Sequence, residues 1–164
     1  PCETGVIDFP HDGTKMLDLT KELNPEFIAT INDVVPYQFL LPAAPYVSKG
    51  NTTIDINFLQ EKKEYLQSLC DVLIIEGAGG LMVPIEKDFF MIDLIKLFNC
   101  ETFLITPSKL GCINDTLLSI NILKEKNIDF EFYINLYQDI ESFEKVSKPF
   151  LIDYFKKLNF LQDF

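Results

Sequence analysis

The sequence predicts an α/β domain with a three-layer, parallel-sheet architecture. Apolar runs of strand length alternate with stretches of helical periodicity along the chain, which is the order of elements in parallel α/β proteins. The run DVLIIE (71–76) is apolar from Val72 to Ile75, as strands buried on both faces of a parallel sheet are. A length of 164 residues suits one domain with its own core, so we expect a single domain over residues 1–164.

Each element is assigned from apolar spacing and turn signals. In chain order these are an edge strand or loop at 34–39, helix 54–69, strand 71–76, helix 91–98, strand 101–107, helix 111–127, strand 129–137 and helix 148–158. Pro36 restricts the first of these to a sheet edge. Thr53 or Asp55 is expected to cap helix 54–69, and Pro149 suits the first turn of the last helix. The chain opens at Pro1 without an evident opening strand.

Composition and charge exclude several classes of function. The 14 basic and 25 acidic residues give a net charge of −11, which disfavours nucleic acid as a partner. No apolar run approaches the ~20 residues of a membrane span, and no signal peptide is evident at the N-terminus. The four cysteines are scattered and His11 is the single histidine, so neither a zinc site nor a disulfide framework is expected. We therefore expect a cytoplasmic protein.

The segment EGAGG after the apolar run carries the main candidate site. Glu76 ends the predicted strand, and ligands of open parallel sheets bind at the carboxyl ends of strands. An ionised carboxylate there needs a partner, for which a Mg²⁺ ion bound to nucleotide phosphates is suitable. The small residues of 77–80 would let backbone N–H groups approach a substrate closely. The alternative is a plain turn with a solvated glutamate, which glycines also favour.

Further candidate site residues lie near the start of the sequence. Thr4 and Gly5 offer a hydroxyl and an unhindered backbone, although an ordinary glycine turn explains them equally well. Asp12 precedes a helical stretch and is either a second metal carboxylate or the N-cap of that helix.

Two further candidates lie in the second half of the sequence. A helix beginning near Gly111–Asn114 could attract an anion, or could be a plain helix start capped by Asn114. Asn135 ends a strand and could face a purine edge, although turns also favour asparagine.

Taken in order, these motifs resemble the dethiobiotin synthetase family. The matching segments are PCETG (1–5), AAPY (43–46), IIEGAGGLMVPI (74–85), KLGCINDTLL (109–118) and INL (134–136). The resemblance spans about residues 1–136, and its most specific parts are Glu-Gly-Ala-Gly-Gly and Leu-Gly-x-Ile-Asn. It implies a P-loop NTPase-like homodimer that forms the ureido ring of dethiobiotin from 7,8-diaminopelargonate, carbon dioxide or bicarbonate, and ATP.

The resemblance also implies roles for individual residues. Asp12 and Glu76 would bind Mg²⁺, and Thr4 would be the catalytic residue that hydrogen-bonds carbamate or phosphate oxygens. The implied nucleotide-binding residues are Glu76, Gly77, Gly79 and Asn135. The implied substrate-binding residues are Thr4, Pro45, Gly79, Gly80 and, across the dimer interface, Leu110, Gly111, Cys112, Ile113 and Asn114.

The family's phosphate-binding loop has no counterpart in the 164 residues. Its Lys-Thr pair and the lysine before Pro-x-x-[Ser/Thr]-Gly would both precede Pro1, and no GxxxxGK[ST] motif occurs downstream. We expect one strand and one helix to lie upstream of Pro1, and residues 1–164 alone to be inactive. The alternatives are an ATP-dependent ligase that amidates cobyrinate and a non-catalytic relative related to partition ATPases.

Overall fold

The computed structural model describes residues 1–163. The chain divides into two compact units, Pro1–Phe98 and Asn99–Phe164. We describe each unit by itself. Both contain parallel strands joined through helices, so the α/β prediction is confirmed at this level. Three two-stranded sheets are present within residues 1–163, and the predicted extended sheet is not seen among them. The described residues include no helix long and apolar enough to cross a membrane.

The first unit begins with a β-α-β arrangement. Its elements are β1 (Cys2–Thr4), α1 (His11–Leu23), α2 (Ile31–Val34), β2 (Tyr37–Phe39), α3 (Pro45–Ser48), α4 (Ile56–Gln67), β3 (Pro84–Glu86), β4 (Phe89–Phe90) and α5 (Met91–Phe98). Strands β1 and β2 pair in parallel, with Cys2 opposite Tyr37 and Thr4 opposite Phe39. The expectation of no opening strand is therefore wrong, since β1 begins at Cys2.

The core of the first unit lies under α1 and α4. Leu17, Phe27, Ala29 and Leu66 form a buried cluster, and Leu73 packs against it. Full burial of a Leu or Phe side chain stabilises the fold by about 1.5–3 kcal/mol relative to leaving it exposed. Helix α4 starts as predicted, because the Asp55 carboxylate accepts hydrogen bonds from the backbone N–H groups two and three residues later.

The predicted buried strand at 71–76 is not formed as predicted. No strand ladder within residues 1–163 includes this segment, and Val72 and Ile74 are 77% and 78% exposed. Leu73 and Ile75 are half-buried, so the segment has one covered face and one exposed face. The apolar pattern therefore indicates which side chains can be buried. A strand ladder also requires a neighbouring strand whose backbone donates and accepts the hydrogen bonds.

The second unit is built around one parallel pair. Its elements are β5 (Phe103–Pro107), α6 (Cys112–Glu125), β6 (Glu131–Asn135), α7 (Ile140–Ser142), a π-helical turn (Phe143–Ser147), α8 (Lys148–Phe155) and a 3₁₀ turn (Leu161–Asp163). Strands β5 and β6 pair in register along their whole length. The buried hydroxyls of Thr106 and Thr116, 2.7 Å apart, join β5 to α6.

The core of the second unit is formed by Cys112, Ile134, Phe143 and Leu151. All four are nearly inaccessible to solvent. The helices and strands of this unit confirm the predicted elements within a few residues, and Pro149 lies in the first turn of α8 as predicted. The β3–β4 hairpin of the first unit was not predicted.

Candidate functional site

Five of the predicted residues line one open cleft of the first unit. The cleft has a volume of about 1060 Å³, and its lining includes Thr4, Asp12, Glu76, Gly77 and Gly79. Residues from three separate parts of the sequence thus contribute to the lining of one cleft. A hydroxyl, two carboxylates and the backbone of a glycine-rich loop are groups suited to phosphate and metal chemistry.

Thr4 reaches the cleft because β1 ends there. Gly5 follows with φ +77°, a left-handed conformation that glycine adopts without strain. A Cβ at Gly5 would also lie 3.2 Å from the Cβ of Pro42. The turn after Thr4 therefore requires glycine, which the sequence motif indicated but could not distinguish from an ordinary turn.

Asp12 lies in the first turn of α1, and the structure shows that it is not the N-cap. That position belongs to Pro10, whose side chain makes no capping hydrogen bond. The Glu3 carboxylate takes this role, accepting hydrogen bonds from the backbone N–H groups of Asp12 (3.1 Å) and Gly13 (2.9 Å). The role of Glu3 was not predicted from the sequence. The signal for it is an N-cap position occupied by Pro10 in place of Ser, Thr, Asp or Asn, which indicates that another residue supplies the capping acceptor.

Glu76 is exposed and lies at the start of the glycine-rich loop. Gly79 has φ +72°, and a Cβ there would lie 2.9 Å from Cγ2 of Val83, so this position requires glycine. Gly80 has no atom within 4 Å of an added Cβ and does not line the cleft. The glycine requirement in this loop is therefore concentrated at Gly79.

The oxygen donors that line the cleft are of the chemical type that a magnesium ion prefers. Asp12 and Glu76 supply two carboxylates and Thr4 a hydroxyl, which is the hard donor set that Mg²⁺ prefers when nucleotide phosphates complete its coordination. Within residues 1–163 no group of three or more His, Cys, Asp or Glu side chains could hold a metal by itself. A shared site with phosphate is thus the arrangement that these residues suit.

The cleft also contains a fixed ion pair. Lys62 Nζ lies 2.7 Å from Asp33 Oδ1, and both residues line the cleft. The hydrogen bond from Lys62, aided by those from Thr30, lowers the pKa of Asp33 to about 2. Lys62 is therefore engaged with a carboxylate, which reduces its capacity to neutralise a phosphate.

The Cys2 thiol at the cleft is not a nucleophile. Cys2 is buried, and burial raises the pKa of its thiol. A protonated, buried thiol behaves as a small apolar side chain. Glu3 and Thr4 are the other two residues of β1 that line the cleft.

Pro45 lies apart from the cleft lining. It is buried at the first position of α3, whose last turn is tied to β3 by an ion pair of 3.2 Å between Lys49 and Glu86. Glu86 also accepts a hydrogen bond of 2.8 Å from the backbone N–H of Ile54. The ion pair between Lys49 and Glu86 holds the Pro45 segment against β3, and this pair was not predicted from the sequence.

The remaining predicted residues belong to the second unit. Gly111, with φ +92°, is the N-cap of α6, so the capping role considered for Asn114 is wrong. Leu110 is 78% exposed, Cys112 is buried and Ile113 packs against the core cluster. The side-chain amide of Asn114 donates to the Asp115 carboxylate at 3.3 Å.

Asn135 ends β6 as predicted. Its side-chain oxygen accepts a hydrogen bond of 3.1 Å from the Gln162 amide. This hydrogen bond orients the carboxamide at the carboxyl end of the strand.

Comparison with known proteins defines first a class and then a family. A family model described as an AAA domain matches residues 14–134, which supports the P-loop NTPase-like class. The chain is also 50% identical over 151 residues to the ATP-dependent dethiobiotin synthetase BioD of Sulfurovum sp., covering 92% of this chain and 72% of that protein. The proteins of the same name from Wolinella succinogenes and Helicobacter pylori are 35% identical (92% and 71% covered) and 33% identical (92% and 72% covered).

The chain belongs to the dethiobiotin synthetase family. This confirms the family resemblance found in the motifs, and the family's members are ATP-dependent ligases that form carbon–nitrogen bonds. Cobyrinate amidation is correspondingly not favoured.

Proposed function

We propose that the protein is an ATP-dependent dethiobiotin synthetase of biotin biosynthesis, with the cleft of the first unit as its phosphoryl-transfer site. The observation that carries this proposal is that Thr4, Asp12 and Glu76 line one cleft together with Gly77 and Gly79. These are the residues to which the family motifs assign carbamate, metal and phosphate contacts. The substrates are 7,8-diaminopelargonate, carbon dioxide or bicarbonate, and ATP.

The reaction proceeds in three steps. One amine of the diamine adds to carbon dioxide and loses a proton, giving a carbamate. A carbamate oxygen then attacks the γ-phosphorus of ATP, which releases ADP and leaves a carbamic-phosphoric anhydride. The neighbouring amine attacks the anhydride carbon, the carbon–oxygen bond to phosphate breaks, and the ureido ring closes with release of inorganic phosphate and a proton.

The protein residues position these groups. The Thr4 hydroxyl donates a hydrogen bond to the carbamate or phosphate oxygens. Backbone N–H groups at Gly77 and Gly79 approach the phosphates closely, because no Cβ intervenes. Bound Mg²⁺, held by Asp12 and Glu76, would supply positive charge against the phosphate oxygens.

A second part of the proposal concerns substrate and base recognition. We assign the diamine pocket to Gly79, which lines the cleft, and to Pro45 and Gly80, which lie outside the cleft lining and would border the diamine. We assign the substrate carboxylate to the α6 start at Leu110–Asn114 of a homodimer partner, and the nucleotide base to Asn135. The left-handed Gly111 cap and the exposed Leu110 support the assignment at α6. Sedimentation equilibrium tests the dimer, and cell fractionation tests the proposed cytoplasmic location.

The activity is tested by fixation of labelled bicarbonate into acid-stable product with the protein at its full natural length. Counts that require diaminopelargonate, ATP and Mg²⁺ together support the proposal. Glu76→Ala should remove them, whereas Glu22→Ala, an exposed glutamate at the far end of α1, serves as the matched control and should retain them. Folded protein that fixes no label under these conditions would refute the proposed activity.

A further inference from the structure

The start of α1 is held by a residue outside the helix. The first backbone N–H groups of a helix lack intrahelical partners and are usually satisfied by the N-cap side chain. Pro10 cannot provide that acceptor, and its side chain makes no capping hydrogen bond. Glu3 on β1 supplies it, with one carboxylate oxygen for Asp12 N (3.1 Å) and the other for Gly13 N (2.9 Å).

This contact is stronger than an ordinary cap. A carboxylate that accepts backbone N–H groups at a helix N-terminus makes charge-assisted hydrogen bonds, and the helix dipole favours its negative charge. Two hydrogen bonds to one planar carboxylate fix the direction of the helix start as well as its distance from Glu3. The position that a phosphate could take at this helix start is therefore already filled by Glu3.

Close packing at Gly13 supports the same docking independently. A Cβ at this residue would lie 2.1 Å from Cγ2 of Val35 and 3.3 Å from Oε2 of Glu3. Gly13 is buried, so the first turn of α1 lies directly against the segment that leads into β2. Only glycine permits this approach, and it brings the backbone of Asp12 to the edge of the β1–β2 pair.

We propose that Glu3 is a positioning residue that holds the Asp12 carboxylate beside Thr4 for metal binding. Glu3 immediately precedes Thr4 on β1 and its carboxylate accepts from the backbone N–H of Asp12, so this contact ties the start of α1 to the strand that carries Thr4. This inference rests on the proposed function, in which Asp12 binds Mg²⁺. Nothing in the sequence motifs assigned a role to Glu3.

The test compares Glu3→Ala and Glu3→Gln with Glu22→Ala in the full-length protein. The first readout is binding of Mn²⁺, as a probe for Mg²⁺, measured by electron paramagnetic resonance in the presence of a non-hydrolysable ATP analogue. Loss of a residue that orients a metal ligand weakens metal affinity by about 10- to 100-fold, which is the result expected for Glu3→Ala. Glu3→Gln keeps one acceptor oxygen and should lose less, and Glu22→Ala should bind Mn²⁺ as the unmodified protein does.

The second readout is hydrogen exchange at the backbone of residues 12 and 13. Faster exchange at these two amides in Glu3→Ala, with exchange in α4 unchanged, shows that the contact has been lost locally. Bicarbonate fixation should then need more Mg²⁺ for half-maximal rate while its rate at saturating Mg²⁺ stays near that of the unmodified protein. A lowered saturating rate with an unchanged Mg²⁺ requirement would overturn the proposal.

The failures of the two proposals are distinguishable. If Glu76→Ala loses Mn²⁺ binding while Glu3→Ala and Glu3→Gln bind it normally, the role of Glu3 is refuted and the metal site stands. If Glu76→Ala also binds Mn²⁺ normally, the proposed metal site itself is refuted. If Glu3→Ala does not fold, the Glu3→Gln variant is used to decide the question. Normal Mn²⁺ affinity in Glu3→Gln, together with loss of exchange protection at the amides of residues 12 and 13, refutes the positioning role.

Discussion

Replacement of Gly13 by alanine tests the packing that brings α1 to the cleft. The added Cβ would meet Cγ2 of Val35 at 2.1 Å, far inside the 3.4–4 Å of ordinary contact. Overpacking of a buried site costs about 1–3 kcal/mol, and the higher helix propensity of alanine returns at most about 1 kcal/mol. We therefore expect Gly13→Ala to lower the free energy of unfolding by about 1–2 kcal/mol, as measured by urea denaturation.

A double-mutant cycle makes the result specific to this contact. Val35→Ala removes the methyl group that the new Cβ would meet, so Gly13→Ala should cost little or nothing in that background. Gly80→Ala is the matched control, because an added Cβ there has no atom within 4 Å, and it should change stability by less than about 0.5 kcal/mol. A Gly13→Ala protein as stable as the unmodified one, or an equal cost with and without Val35, would refute the packing argument.

Three further outcomes are expected. Glu76→Ala should lose Mg²⁺-dependent turnover while its urea unfolding midpoint stays unchanged, because the side chain is exposed; normal turnover would restore the plain-turn interpretation. The pKa of Asp33 is about 2 in the folded protein, lower than the value of about 3.9 in the unfolded chain. The stabilising contribution of its carboxylate is therefore full above about pH 4 and is lost as the pH falls towards 2. Urea unfolding between pH 2 and 6 should show this slope, and Lys62→Met should flatten it. Thr116→Val should cost about 1–3 kcal/mol by leaving the Thr106 hydroxyl without its 2.7 Å partner, whereas the double Thr106→Val/Thr116→Val variant should recover most of that loss in the same assay.

Local signals predicted the elements that depend on neighbours in sequence. Thr53 or Asp55 was expected to cap α4, and the Asp55 carboxylate does so by accepting hydrogen bonds from the backbone N–H groups of Asn57 and Phe58. The spacing of apolar residues likewise predicted α5, α6 and the β5 and β6 strands. These features require only a few consecutive residues, so one sequence carries all the information for them.

Features that depend on distant partners were predicted less well. The 71–76 segment has the composition of a buried strand, but pairing depends on which chain lies beside it, and composition does not specify that. The contact of Glu3 with α1 spans nine and ten residues and was missed for the same reason. Of the candidate site, the family motifs indicated Thr4, Asp12 and Glu76 individually, and the fold of the first unit brings them into one cleft.

The exposed face of residues 71–76 has a consequence for handling the protein. Val72 and Ile74 present β-branched side chains to solvent at an unpaired edge that forms no ladder within residues 1–163. Such an edge is a template for pairing with another chain, and the net charge of −11 opposes that encounter through mutual repulsion. Because salt screens the repulsion, self-association of the 164-residue chain should increase with ionic strength, and low-salt buffer is the condition for keeping it dispersed.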